Sequence, residues 1–477
     1  MADVTIDNFP STDPQLVRLR IAGFLDKTVF SSLLVLLALT AVPYGTVEPW
    51  WKAAFVCAVF LICIVAIVET LISGECRIGG SRGILLSMIA LCGLALIQTI
   101  NFRSADTDST VARLGAWNAI SADPYQTRFF VLQLLALTTC LALLYRYCRT
   151  PARINLLIHV ILGIGVASAV FGIVRQTVQH EPGFVLPRTM PGIGYGQFVN
   201  KNHFALLMEM TLGLGVGIGL LRSFNRDRMM IYVALLLPVW TALVLSNSRG
   251  GILSMLAQVV VAGLLLMRRW DLKSERGGRI RIMRNAMLLL LVTMIAAGTI
   301  WVGGDRLVSS FSQAPTDFTE KPADQRSGVS RIEIWQATWK MFTAHPMLGV
   351  GLGGYWVAIT AYHDASGVST PQEAHNDYLE LLSSGGVIGL AIGAWFGVAL
   401  FQRVRDNVRS DNHFQRSVCL AALLGITGVA VHSLVDFGLH LLVNAVVFLV
   451  LIMLATTRIP VETSFDPPFT KSLIRRG

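Results

Sequence analysis

Glu373-Ala374-His375-Asn376-Asp377-Tyr378-Leu379-Glu380 is the stretch where a long polar segment gives way to an apolar helix. That helix runs on to about residue 401, enough at 1.5 Å per residue to cross a hydrocarbon core of roughly 30 Å. Similar apolar runs recur about twelve times along the chain, over residues 29–45, 52–72, 83–100, 127–146, 153–175, 202–221, 229–246, 249–267, 285–303, 380–401, 416–435 and 438–457. The expected fold is therefore all-α: a polytopic membrane protein of about twelve transmembrane helices.

Composition agrees with that reading. Of 477 residues, 53% are hydrophobic and 14% charged, too apolar a mixture for a soluble multidomain protein. A net charge of +10 would point to nucleic acid in a soluble chain. In a membrane protein it marks the cytoplasmic loops. With the N-terminus inside, about 26 of the 39 basic residues fall on the inner side and about 13 outside. Both tails, 1–28 and 458–477, are then cytoplasmic, and helices 1–9 occupy 29–303. The basic loop Arg268 to Arg284 reads as an anionic-lipid or topology anchor. The seven cysteines lie in apolar runs or inner loops, and no disulfide framework or CxxC metal pattern is present.

The outer side carries the unusual features. A loop over 304–376 is far longer than a helix hairpin needs, and long loops in compact proteins are usually functional or disordered. Inside it, Arg331-Ile332-Glu333-Ile334-Trp335-Gln336-Ala337-Thr338-Trp339-Lys340-Met341-Phe342 places Ile332, Trp335, Trp339 and Phe342 at helical spacing, as an amphipathic helix at the membrane surface would. Pro346 stops it. The following Gly349-Val350-Gly351-Leu352-Gly353-Gly354 lacks a preceding strand, so close-packed or flexible backbone is a better reading than a dinucleotide fingerprint.

Several residues at the outer boundary could carry chemistry. Ser246-Asn247-Ser248-Arg249-Gly250-Gly251 is a tight hairpin that sends Arg249 into the start of a helix, where the dipole disfavours a cation. A charge near hydrocarbon marks a functional site unless it snorkels to lipid phosphate. Arg331 invites the same argument, and two guanidiniums converging on one anion would make a pyrophosphate clamp. His375 precedes Asn376 and Asp377, either of which can cap the next helix, and Asp377 with Glu380 resembles a capping box. An imidazole at the positive end of a helix is kept neutral, the form a general base needs, although an interfacial histidine is more often structural. Lys201, Asn202 and His203 repeat the pattern at another helix start, suited to a second anion or sugar contact or to plain capping. Asp436, at the last outer hairpin, could orient a base, bind sugar hydroxyls or cap a helix. His363, Asp364, Glu373 and Asp377 are close in sequence but match no metal-ligand spacing, so no metal is expected.

Taken together, Ser248-Arg249-Gly250-Gly251, the Arg331–Trp339 helix leading into His345-Pro346-Met347-Leu348-Gly349-Val350-Gly351, then His375 to Glu380 and Gly385-Gly386-Val387-Ile388-Gly389-Leu390 resemble the bacterial O-antigen ligase and O-antigen polymerase family. The resemblance covers about residues 190–440. It implies a GT-C-like arrangement of twelve helices with a large periplasmic loop between the ninth and tenth, in the bacterial inner membrane, with a periplasmic active site. It also implies metal- and cofactor-independent, inverting glycosyl transfer from an undecaprenyl-pyrophosphate-linked glycan to an acceptor, either a lipid-linked glycan or lipid A core. On that pattern His375 matches the base, and Arg249 and Arg331 the pyrophosphate-binding arginines. Lys201, Asn202, His203, Asn376, Asp377 and Asp436 are the expected substrate contacts. Within the family a polymerase is the first expectation and a ligase the second. The rival from another class is a lipid-glycan transporter, which would show internal repeats and polar residues near the bilayer midplane.

Overall fold

The computed structural model describes residues 14–42, 44–75, 79–101, 117, 119–222, 226–271, 331–363 and 371–459. They form helices α1 (Pro14–Thr40), α2 (Pro49–Ser73), α3 (Arg82–Gln98), α4 (Pro124–Tyr147), α5 (Pro151–Val178), α6 (Lys201–Leu221), α7 (Arg226–Leu245), α8 (Arg249–Asp271), α9 (Arg331–Ala344), α10 (Asp377–Val408), α11 (His413–His432) and α12 (Leu442–Thr456). Short helical turns lie at Tyr44–Thr46, Tyr355–Ala358, Ile359–Ala361 and Gly438–His440. Eight of the helices are long and apolar enough to cross a membrane, and α3, residues 249–265 of α8, and α12 are shorter apolar helices. Among the described residues the fold is all-helical, and its apolar helices mark a membrane protein. The expected span at 285–303, most of the basic loop after it begins at Arg268, and residues 304–330 lie outside the described residues.

Local chemistry sets the helix starts. Proline opens α2, α4 and α5, where a missing N–H costs nothing. Asp123, Thr150, Asn200 and Asn412 cap α4, α5, α6 and α11 through their side-chain oxygens. Helix α1 begins at Pro14 rather than near residue 29. Its polar first turns are held by the Arg18 guanidinium, which donates to the Ile72 and Leu71 carbonyls at the end of α2, and by an Asp26–Arg153 ion pair.

Helix α6 runs through the centre, buried along nearly all its length. It packs against α11, which in turn packs on α8. Small residues allow that approach: a Cβ at Gly213 would lie 2.8 Å from the Gly425 nitrogen, and one at Gly217 2.5 Å from the Ala421 Cα.

Alternate helix ends collect on two faces, as alternate crossings require. On one face Gln197 donates to the Ala41 carbonyl, the Arg188 amide to Tyr44, and the Ala122 amide to Val350. On the other, Arg146 pairs with Glu69 at 2.6 Å, Arg403 donates to the Gly80 carbonyl, and Asn407 to the carbonyls of Ala455 and Thr457. The candidate residues His375, Asp436, Arg249 and Arg331 all belong to helix ends on the first face.

The glycine run supports this face by close packing. Helix α10 is broken at Gly386, whose φ of 65° and ψ of −166° lie outside helical space. Residues 346–351 thread alongside the break and bond the freed groups: the Val387 amide donates to Pro346, and the Val350 and Gly351 amides to Ser383 and Ser384. A Cβ at Gly349 would come 2.4 Å from the Ser384 carbonyl carbon, and one at Gly386 2.3 Å from the Met347 oxygen. Gln98, fully buried at the end of α3, staples the junction by donating to the Leu348 and Ser384 carbonyls while accepting from the Leu352 amide. No strand precedes the glycines among the described residues, so a dinucleotide fold has no footing here.

Helix α9 has two unlike faces. Ile334, Ala337, Thr338 and Met341 face the protein, and the Thr338 hydroxyl meets Tyr355 Oη at 2.7 Å. The aromatic stripe faces outward: Trp339 is exposed, and Ile332, Trp335 and Trp339 line an open, apolar groove of about 510 Å³ with Gln336, Lys340 and Leu379. Small residues admit close helix packing, whereas the indoles are left for a less crowded surface.

Candidate active site

His375 stands at the turn into α10 with φ 51°, a left-handed conformation uncommon for a residue with a Cβ. Several bonds hold it there. The Ala374 carbonyl accepts from the Trp335 indole at 2.9 Å and its amide donates to Glu380 Oε2 at 2.9 Å. Asn376 is the cap, accepting from the amides of Tyr378 and Leu379, and the Asp377 amide donates to the Ser433 carbonyl. Of the two capping residues offered by the sequence, Asn376 is used; Glu380 reaches back to Ala374 rather than closing a capping box with Asp377.

The imidazole meets Asp436, with Nδ1 3.1 Å from Oδ1. Asp436 is 1% exposed, while the His375 side chain is 31% exposed. Burial pushes the Asp436 carboxyl up, but the His375 hydrogen bond and the nearby His203 and His432 outweigh it and hold the group well below the usual carboxylate range. An ionised carboxylate on Nδ1 fixes the tautomer that carries its lone pair at Nε2. Among the described residues, His375 Nε2 has no hydrogen-bond partner. The pair thus presents a basic nitrogen with an acid-stabilising partner behind it, the arrangement that general-base catalysis uses.

Phe437 packs the pair in place. Its ring lies edge-on to His375 at 4.8 Å, to His203 at 4.7 Å and to His440 at 5.8 Å. His203 is therefore brought to the site, buried, whereas Lys201 beside it is exposed at the start of α6 and Asn202 is half-buried. Asp377 Oδ2 accepts from the Ser433 hydroxyl at 2.7 Å.

Arg249 opens α8, capped by Ser248, whose hydroxyl accepts from the Gly251 amide. Gly250 beside it faces the end of α11: a Cβ there would lie 3.3 Å from His432 Nε2. Arg331 opens α9 one turn before Trp335, the residue bonded to Ala374. Both arginines are half-buried; the start of α9 is tied to the His375 turn through Trp335, and the start of α8 lies beside His432 at the end of α11.

Two clusters escaped sequence reasoning. Glu209, mid-way along α6, meets His432 of α11 with Nδ1 3.1 Å from Oε2, both side chains at most 1% exposed. A lone carboxylate inside an apolar run is a signal the sequence did carry. The second cluster surrounds His440: Nδ1 is 3.5 Å from Glu373, and Nε2 is 3.5 Å from Glu380 and 3.7 Å from Asp377. Ligand atoms of Glu373, Glu380 and His440 lie within 4.8 Å of one another, close enough to consider a metal. The imidazole, however, stands between the carboxylates with one nitrogen towards each side, which suits a doubly protonated ring; a metal would take a lone pair from one nitrogen. Of the four acidic and histidine positions weighed from sequence, Glu373 and Asp377 join this cluster, His363 does not, and Asp364 lies outside the described residues.

Residues 232–394 match the family model described as O-Antigen ligase. This stretch forms a domain similar to the O-antigen ligase and polymerase family. Such enzymes are glycosyltransferase-like, acting on lipid-linked glycan and acceptor substrates. The family domain holds Arg249, Arg331, His375, Asp377 and the broken helix around Gly386; Asp436, His440, His203 and Glu209 come from outside it. No curated protein matches the chain.

Proposed function

We propose that this protein is an inner-membrane glycosyltransferase that moves a glycan from an undecaprenyl-pyrophosphate donor to an acceptor hydroxyl at the periplasmic face, with inversion and without a metal. The His375–Asp436 pair carries the proposal. His375 Nε2 takes the proton of the acceptor hydroxyl, and the resulting imidazolium is stabilised by Asp436. The acceptor oxygen attacks the anomeric carbon as the bond to the diphosphate breaks, and the electron pair leaves on the lipid diphosphate. Arg249 and Arg331 meet that charge, a role typically worth a few kcal/mol. The base step is typically worth about 10² to 10⁴ in rate. The proton then passes from the half-exposed imidazole to water.

His203 and Lys201 with Asn202 supply the second wall of the site, for sugar or phosphate oxygens. Asn376 and Asp377 are engaged by the cap, Ser433 and His440, so they hold the His375 turn instead of meeting sugar. Of the two family reactions we favour polymerisation, in which donor and acceptor are both lipid-linked; the match to the O-antigen ligase family supports transfer to lipid A core as the second reading.

Purified protein in lipid discs with undecaprenyl-pyrophosphate glycan tests the chemistry. His375→Ala should lose at least about 10² in turnover. An unchanged rate would remove His375 as the base, and glycan translocation without bond formation would establish the transporter instead. Deleting the gene separates polymerase from ligase: single repeat units on lipid A identify a polymerase, and full-length chains left on the lipid carrier a ligase.

A further inference from the structure

The His440 cluster is not used by the reaction just described, yet it brackets the base. Glu373 lies two residues before His375, and Asp377 and Glu380 follow it in the first turns of α10. All three carboxylates point at one imidazole delivered from the Gly438–His440 turn. Lys52, from the first turn of α2, adds a second cation within electrostatic reach of Glu373.

We propose that His440 is a positioning residue for the base: an imidazolium counter-charge that ties together the chain on both sides of His375 and masks the carboxylates from the site. This rests on the assignment of His375 as base. Burial alone would lower the His440 pKa, but Glu380, Glu373 and Asp377 override it and push it up to about 10. The ring is thus charged throughout the range in which a histidine base works. Glu373 responds in kind: burial raises its pKa, and the His440 cation brings it below the usual value.

Two consequences follow from the geometry. The left-handed turn at His375 has anchors on both flanks, and His440 is the group that touches both. Secondly, an anionic diphosphate must approach a site bordered by Glu373, Asp377, Glu380 and Asp436. Facing the carboxylates of that border are His440 and Lys52, with the buried His203 and His432 behind Asp436, while Arg249 and Arg331 are the cations proposed for the diphosphate itself. Removing the His440 charge leaves the border more negative, which favours a protonated His375 and repels the donor.

The test is the pH–rate profile of the full chain in lipid discs. His440→Gln keeps a polar side chain of similar reach and removes the charge. Its turnover should fall about 10-fold or more, and the acid limb of its profile should move up by about half to one pH unit, as loss of a nearby cation dictates. His440→Lys, which restores a cation, should return the limb to its wild-type position. Glu373→Gln removes one carboxylate and should move the limb to lower pH; it carries the test if His440→Gln does not fold. A folded His440→Gln protein with an unmoved limb, or Glu373→Gln with an unmoved limb, overturns the proposal. Failure of the base assignment is separate: it shows as an active His375→Ala protein, whereas an inactive His375→Ala beside an unshifted His440→Gln sinks only the role of His440.

Discussion

At the scale of single residues, the sequence named both members of the central pair but could not join them. His375 and Asp436 are separated by 61 residues, and a helix cap is the simplest reading of Asp436 from sequence alone, whereas the fold brings it to 3.1 Å from His375. The pairing makes a prediction about pH. Asp436 stabilises the imidazolium, so Asp436→Asn should cut turnover by on the order of 10² and shift the acid limb of the pH–rate profile downward, because the base without its carboxylate protonates less readily. That direction is opposite to the one expected for His440→Gln. A profile of Asp436→Asn that moves upward, or does not move, would show that Asp436 acts on something other than His375. His440 itself was illegible: a histidine beside a short apolar helix has no pattern, and its carboxylates lie far away in the chain.

Among elements, the apolar helices were legible because a bilayer demands about twenty apolar residues and leaves few other ways to satisfy the backbone. Helix ends were read less well where polar turns continue a span, as in the first turns of α1. Helix α9 carries two apolar stripes. The aromatic one faces outward, and the face that packs is the one small enough to let Thr338 reach Tyr355. The broken helix α10 was visible only as a glycine pair. Its physical meaning is strict: Gly386→Ala places a Cβ against Met347 and asks a non-glycine residue to hold φ 65°. We expect it to lose about 1–3 kcal/mol of stability. Gly397→Ala, in the same helix with nothing within 4 Å, should be neutral or slightly stabilising. Thermal unfolding of both variants in detergent decides the matter, and equal melting temperatures would contradict the interlock.

For the whole molecule, the family domain and the folded unit do not coincide. Residues 232–394 supply the arginines and the histidine, but Gln98 closes the loop at Leu348, Ala122 bonds Val350, and the partner carboxylate arrives after the domain has ended. Expressed alone, that segment should be aggregated or protease-sensitive; a monodisperse, protease-resistant fragment would mean that these outer contacts are dispensable. The first five helices carried no recognisable motif for the same reason. Their contribution is backbone bonding by residues such as Gln98, which leaves no signature beyond a single buried amide.

Chain order adds a constraint in time. Membrane proteins are made from the N-terminus onward, at roughly 5–20 residues per second. His375 enters the bilayer boundary before either Asp436 or His440 exists, because both sit in the connection between the last two helices. Until α12 is inserted, the nascent chain holds a base with no carboxylate behind it and three carboxylates with no imidazolium between them. On the proposed mechanism the protein is therefore assembled inert, and the hairpin between α11 and α12 acts as the key that completes it.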